Sequence, residues 1–157
     1  PLFWINVCEE VSKKYTEPIE FIWAGDGNLF KECKKNASHI EQIKFIGNSD
    51  EIDKLYQKAT VYFQPSIIES HGISVLGAMA NSIPCIVSNK GGLVESVLNY
   101  ETGYIVEIDE IYKSVDAIIS LLFDKTKREK MGLMGYDQYR LKFTLDIWRN
   151  KMDTIFN

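Results

Sequence analysis

Glu69 is the residue of this sequence best placed to meet a ligand. It stands in "PSIIESHG" (65–72), a turn-forming loop that leads into the apolar run Ile73 to Ala80. That run reads as a helix start. The first-turn amides of a helix, here about Gly72 to Val75, lack intrahelical partners and favour an anion. A carboxylate beside that mouth repels a phosphate unless it faces a neutral group such as sugar hydroxyls. The pairing points to a sugar phosphate whose two ends are read separately. The structural alternative is that Glu69 or Ser70 simply caps the helix. Gly77, one turn further in, costs about 1 kcal/mol relative to alanine and needs its own explanation.

Three other corners carry glycine. "AGDGN" (24–28) allows a tight turn or close approach by a ligand, but it is not GxGxxG and also suits a purely structural turn. "FIGNSD" (45–50) could offer backbone groups to a base edge. "SNKGGLVES" (88–96) brings a second helix start, with Lys90 as an available cation and Glu95 as a surface or supporting acid.

These corners need elements to carry them. Helical spacing runs from Leu2 to Tyr15, about Asn28 to Ser38, 49–59, Gly72 to Asn81 and 91–100. Short β-rich runs lie between them: "IEFIWAG", "IKFIG", "TVYFQPS", "IPCIVSN" and "TGYIVEI". Ser49 or Asp50 is the expected N-cap of the third helix. From about Glu110 the pattern is helical to the end. Such alternation predicts an α/β fold, a Rossmann-like parallel sheet flanked by helices, with a helical C-terminal segment. Ligands of such sheets sit at the carboxyl ends of the strands, where every one of these corners falls.

Bulk properties narrow the classes. The chain has 157 residues, the size of one domain, and 45% hydrophobic content. A net charge of −4 gives no global attraction to nucleic acid. Its lysine groups are interspersed with acids, as on solvated helix faces. Cys8, Cys33 and Cys85 lack zinc spacing and read as small buried hydrophobes of a reducing cytosol, and two histidines are too few for a familiar metal site. No run approaches the roughly 20 apolar residues of a membrane span. "PLFWINVCEE" opens in mid-helix pattern, so we expect an excised piece of a longer chain.

Taken together, "GDG" (25–27), "IKFIGNSDEIDKLYQKATVYFQPS" (43–66), "ESHGISVLGAMANSIPCIVSNKGGLVESV" (69–97), "ETGYIV" (101–106) and the closing "FTLDIW" resemble, in collinear order, the C-terminal donor-binding domain of retaining glycosyltransferases of family four, of GT-B architecture. The resemblance implies transfer of a sugar from a UDP- or GDP-linked donor to a hydroxyl acceptor, with no metal or other cofactor. It makes residues 1–157 one nucleotide-sugar-binding domain, whose acceptor site would come from an absent N-terminal domain. Glu69 would hold donor-sugar hydroxyls near the reacting carbon, with Ser70 and the amides of His71 and Gly72 also at the sugar. The amides of Ile73 and Ser74 would take the diphosphate. Gly25, Gly27, Ile46, Gly47, Ser66 and the position of Gly77 would line the nucleotide side. The implied setting is polysaccharide, lipopolysaccharide or capsule assembly in the cytoplasm, with peripheral membrane association of the full-length parent.

The sequence departs from that pattern in three places. A second signature glutamate, gripping the ribose, would fall at position 77, where this chain has Gly77. Losing its charge-assisted hydrogen bond should cost about 1.5–3 kcal/mol of donor binding. Ser70 and His71 replace the usual Gly and Phe. The family's first strand, with an Arg and a Lys that clamp the diphosphate, does not precede Leu2. That strand is central in the usual order, so if the physical chain starts at Pro1 the sheet is expected to close up, distort or borrow a strand from a neighbour. These departures keep open a second reading, a degenerate, non-catalytic binding or scaffold domain. A receiver-like interaction domain and a GT-B epimerase are weaker alternatives, the first short of acids and the second short of histidines.

Overall fold

A computed structural model describes residues 1–156. The expected alternation is present: α1 (Leu2–Lys14), β1 (Phe21–Ala24), α2 (Phe30–Asn36), β2 (Ile43–Gly47), α3 (Ile52–Lys58), β3 (Tyr62–Gln64), α4 (Ile73–Ala80), β4 (Cys85–Ser88), α5 (Leu93–Ser96), β5 (Gly103–Val106), α6 (Ile111–Phe123), α7 (Lys125–Lys142) and α8 (Leu145–Phe156). None of these helices is long and apolar enough to cross a membrane.

Two local expectations are corrected by side-chain chemistry. α3 starts at Ile52 with Glu51 as its N-cap residue, because the Ser49 hydroxyl accepts the Glu51 amide and closes a turn first. α5 is a single turn, where a helix over 91–100 is expected. The Leu98 amide donates to the Thr102 hydroxyl and the Ile105 amide to the Asn99 side chain, which draws the chain out of helical geometry.

All strand pairings are parallel, but the single expected sheet is split. β1 pairs with β2, and β3-β4-β5 form a separate sheet, with β4 buried throughout. Among the described residues no ladder joins β1 to β3. In the pattern that the sequence resembles, a strand preceding α1 is central in the sheet. α1 bridges the two halves through two stripes of one helix. Trp4, Ile5 and Cys8 pack with Cys33, Ile40 and Phe45 of the β1–β2 half. Val7 and Val11 pack with Ile86, Val106 and Leu121 of the other. Phe21 and Phe63 touch both clusters.

α7 closes the far side of the larger sheet, over α4. At Gly132 an added Cβ would overlap the Ser82 carbonyl oxygen, so the glycine permits that close approach. Gly135, one turn on, has room: its nearest neighbours, Met79 and Thr102, stand at 3.8 Å. Gly135→Ala should therefore gain helix propensity without a clash. It is expected to stabilise by about 1 kcal/mol, raising the melting temperature by roughly 2–4 °C in thermal denaturation.

Candidate functional site

β3 ends where Pro65 removes a ladder donor, and the chain turns into the 65–72 loop at the carboxyl end of the sheet. That loop rests on the corner after β4. The Ser88 hydroxyl donates to the Ser66 carbonyl at 2.5 Å, the Gly92 amide to the Glu69 carbonyl at 3.3 Å, and the Ser96 hydroxyl to the His71 carbonyl at 3.4 Å. The half-buried Glu69 carboxylate is held from two sides. Its Oε1 accepts the Ser70 amide at 3.0 Å and its Oε2 accepts Gln64 Nε2 at 2.8 Å.

The capping alternative is not what the structure holds. The N-cap of α4 is Gly72, and no side chain bonds the helix start. Gly72 has φ +76°, and a Cβ there would lie 2.6 Å from a methyl of Leu93. The Val75 and Leu76 amides already reach the Gly72 carbonyl, at 2.8 and 3.3 Å. The amides of Ile73 and Ser74 are left as the open donors of an exposed helix mouth. The carboxylate and the anion-favouring amides are thus adjacent, and neither is consumed by the other.

His71 is exposed, and its ring meets Phe143 edge-on at 5.9 Å. Ser66 is engaged at its carbonyl by Ser88 and at its hydroxyl by Gln64 Nε2 at 3.1 Å. Gly77 answers its own question sterically. A Cβ there would stand 2.8–2.9 Å from the Tyr56 hydroxyl and ring. The glycine makes a notch in α4 that the phenol of α3 fills, and Tyr56 donates from that position to the Ser74 carbonyl at 2.9 Å.

The remaining nucleotide-side residues sit on the smaller sheet. The Gly25 amide donates to the Gly47 carbonyl at 2.7 Å, joining the corners after β1 and β2. The Gly27 amide bonds the Asp26 carboxylate at 2.7 Å, and Ile46 is exposed. The structure therefore gathers the residues singled out above into two groups, one on each sheet: Gly25, Gly27, Ile46 and Gly47, and Ser66, Glu69 to Ser74 and Gly77.

Sequence reasoning missed Gln64, Tyr62 and Tyr56. Period-two alternation in "TVYFQPS" does put Tyr62 and Gln64 on one face of β3 and Phe63 on the other, which is the available signal. The Tyr62 hydroxyl donates to Gln64 Oε1 at 2.9 Å, and its ring packs on Tyr56 at 6.2 Å. Burial pushes both phenols up from their ordinary pKa, so both remain neutral donors.

Comparison with known proteins gives the family and the fold. The family described as glycosyl transferases group 1 matches residues 3–138. The N-acetyl-alpha-D-glucosaminyl L-malate synthase of Bacillus anthracis is 29% identical over 143 residues, 86% of this chain and 38% of that protein. The capsular polysaccharide biosynthesis glycosyltransferase CapM of Staphylococcus aureus is 30% identical over 119 residues, 76% of this chain and 30% of its own. The chain thus spans about a third of the length of these relatives. Among solved structures, the C-terminal domain of the glycosyl transferase group 1 family protein LpcC from Francisella tularensis superposes with a TM-score of 0.78 at 26% identity, covering 91% of this chain and 78% of that one. Anabaena HepE, solved with UDP-glucose, shares the fold at a TM-score of 0.83 and 18% identity, over 97% of this chain and 44% of its own. A parallel α/β framework, a carboxylate beside an open helix mouth and a family match over most of the length lead to one conclusion: the chain belongs to the group 1 glycosyl transferases.

Proposed function

We propose that the chain is the donor-binding domain of a retaining glycosyltransferase, the C-terminal half of a two-domain enzyme. That enzyme moves a hexose from a UDP- or GDP-linked donor to a hydroxyl acceptor in polysaccharide, lipopolysaccharide, capsule or glycolipid assembly at the cytoplasmic face of a membrane. The observation that carries this reading is the Glu69 carboxylate, held beside the open Ile73 and Ser74 amides. Glu69 accepts hydrogen bonds from donor-sugar hydroxyls, while Ser70 and the His71 and Gly72 backbone close around the sugar. The two amides and the α4 dipole take the diphosphate, and they stabilise the charge that grows on it as the sugar departs. Gly25, Gly27, Ile46, Gly47 and Ser66 border the nucleotide. The acceptor comes with the other half, so this chain alone has little transferase activity.

Titration of the chain and of its full-length parent with UDP-glucose, UDP, GDP-mannose and GDP tests the reading. One nucleotide pair is expected to bind, with the sugar-bearing member tighter and its advantage lost in Glu69→Ala. Absence of binding even by the parent would sink the donor-site assignment. A degenerate, non-catalytic domain is the second reading, favoured by the Tyr56 phenol that stands where a ribose-gripping carboxylate would project from position 77. The double variant Tyr56→Ala/Gly77→Glu frees the notch and supplies the carboxylate. Tighter nucleotide binding by it indicates a ribose pocket that is otherwise intact, and unchanged affinity favours the degenerate domain.

A further inference from the structure

Gln64 is the last residue of β3, and every polar atom of its side chain is used. Nε2 donates to Glu69 Oε2 at 2.8 Å and to the Ser66 hydroxyl at 3.1 Å, and Oε1 accepts the Tyr62 hydroxyl at 2.9 Å. The amide has one workable orientation. Turned over, it would set its oxygen against a carboxylate oxygen, two acceptors facing one another. Tyr62 is backed in turn by Tyr56, which is seated in the Gly77 notch and tied to the Ser74 carbonyl. A continuous train of contacts therefore runs from that notch to the Glu69 carboxylate, and Gln64 is the link that touches it.

We propose that Gln64 is a positioning residue: its amide fixes the Glu69 carboxylate in the orientation that receives the donor sugar, and so governs affinity for the sugar part of the donor apart from the nucleotide. The proposal rests on the donor-binding reading of Glu69 given above. Without the Gln64 donor, Glu69 keeps only the Ser70 amide of its own loop and is free to change rotamer. The helix mouth, which takes the diphosphate, is built from backbone and is unaffected.

The physical signature lies in two substitutions. Gln64→Leu keeps the size and removes the donor. Gln64→Glu places two carboxylates together, so that one of them holds its proton to higher pH than usual. When position 64 carries that proton, its O–H restores a bond to Glu69. Recovery on acidification is something a purely structural role would not produce. Tyr56 and Tyr62 on the adjoining elements and Cys85 of β4 are neutral in this range, their pKa values raised first by burial. His71 of the same loop, and Lys90 and Glu95 of the β4–α5 corner, are common to the parent and the variants, so the wild-type chain measured at each pH removes their contribution.

The experiment is calorimetric titration of the full-length parent, as wild type, Gln64→Leu and Gln64→Glu, with UDP-glucose against UDP, and GDP-mannose against GDP, at pH 8 and pH 5.5. For the pair that binds, Gln64→Leu is expected to weaken the sugar nucleotide about tenfold and leave the bare nucleotide unchanged. Gln64→Glu should do the same at pH 8 and recover most of the affinity at pH 5.5. A wild type that favours the sugar nucleotide, with Gln64→Leu indistinguishable from it or weakened equally for both ligands, overturns the role of Gln64 alone. A wild type that binds no ligand, or does not favour the sugar nucleotide, overturns the donor-sugar reading and this inference with it.

Discussion

Gly91→Ala is expected to unseat the Glu69 loop and to weaken sugar-nucleotide binding at least tenfold. Gly91 lies in the corner after β4 at φ +52°, a left-handed conformation that costs an L residue about 1–2 kcal/mol. Its added Cβ would overlap the Glu69 carbonyl oxygen and stand 3.0 Å from the carbonyl carbon. These are backbone atoms, not the tip of a flexible side chain, so relief requires the loop itself to move. That motion breaks the bond from the Gly92 amide to the Glu69 carbonyl and carries the carboxylate away from Gln64. Overpacking of this kind costs typically 1–3 kcal/mol, so a modest drop in melting temperature accompanies the loss of binding. Titration with the sugar nucleotide and a thermal melt on the same sample check both parts. Full affinity in Gly91→Ala would show that the place of Glu69 does not depend on this contact.

A larger effect on stability is expected at Gly103, the first residue of β5. It is buried against β4 at the point where it registers with Cys85. A Cβ there would overlap the Cys85 carbonyl oxygen and lie 2.8 Å from the carbonyl carbon, in the central strand of the larger sheet. β4 is buried on both faces and has nowhere to retreat. Gly103→Ala should therefore cost about 3 kcal/mol, the upper end of the overpacking range. That corresponds to a fall in melting temperature of roughly 6–12 °C for a chain of this length. Thermal denaturation followed by circular dichroism measures it, with Gly135→Ala, where the same methyl group makes only ordinary van der Waals contact, as the control. Equal melting temperatures for Gly103→Ala and the wild type would mean that the strands can part more easily than this packing implies.

The order of elements was legible because strand runs and helical runs differ in period and are punctuated by Gly and Pro. Glu69 and the Ile73–Ser74 mouth were legible for a local reason: a loop carboxylate only four residues before a helix start stays close to it. Gly77 was legible only as an anomaly. The side chain that fills its notch comes from Tyr56 on another helix, and nothing in a linear pattern announces which residue will occupy a gap in a distant element. Gln64 was hidden for a related reason, since its partners become defined only when the loop folds back on the strand that carries it. The length of α5 was misjudged because Asn99 and Thr102 compete for the backbone through side-chain bonds that periodicity does not register.

The split sheet has a thermodynamic consequence. Among the described residues no backbone hydrogen bond links the β1–β2 unit to the three-stranded sheet, so what couples them is apolar contact through α1, Phe21 and Phe63. Attraction of that kind weakens on cooling, whereas the ladders inside each unit do not depend on it in the same way. The cooperativity of the chain is therefore a function of temperature. Lowering the temperature therefore loosens the tie between the two units more than it loosens the ladders within either of them.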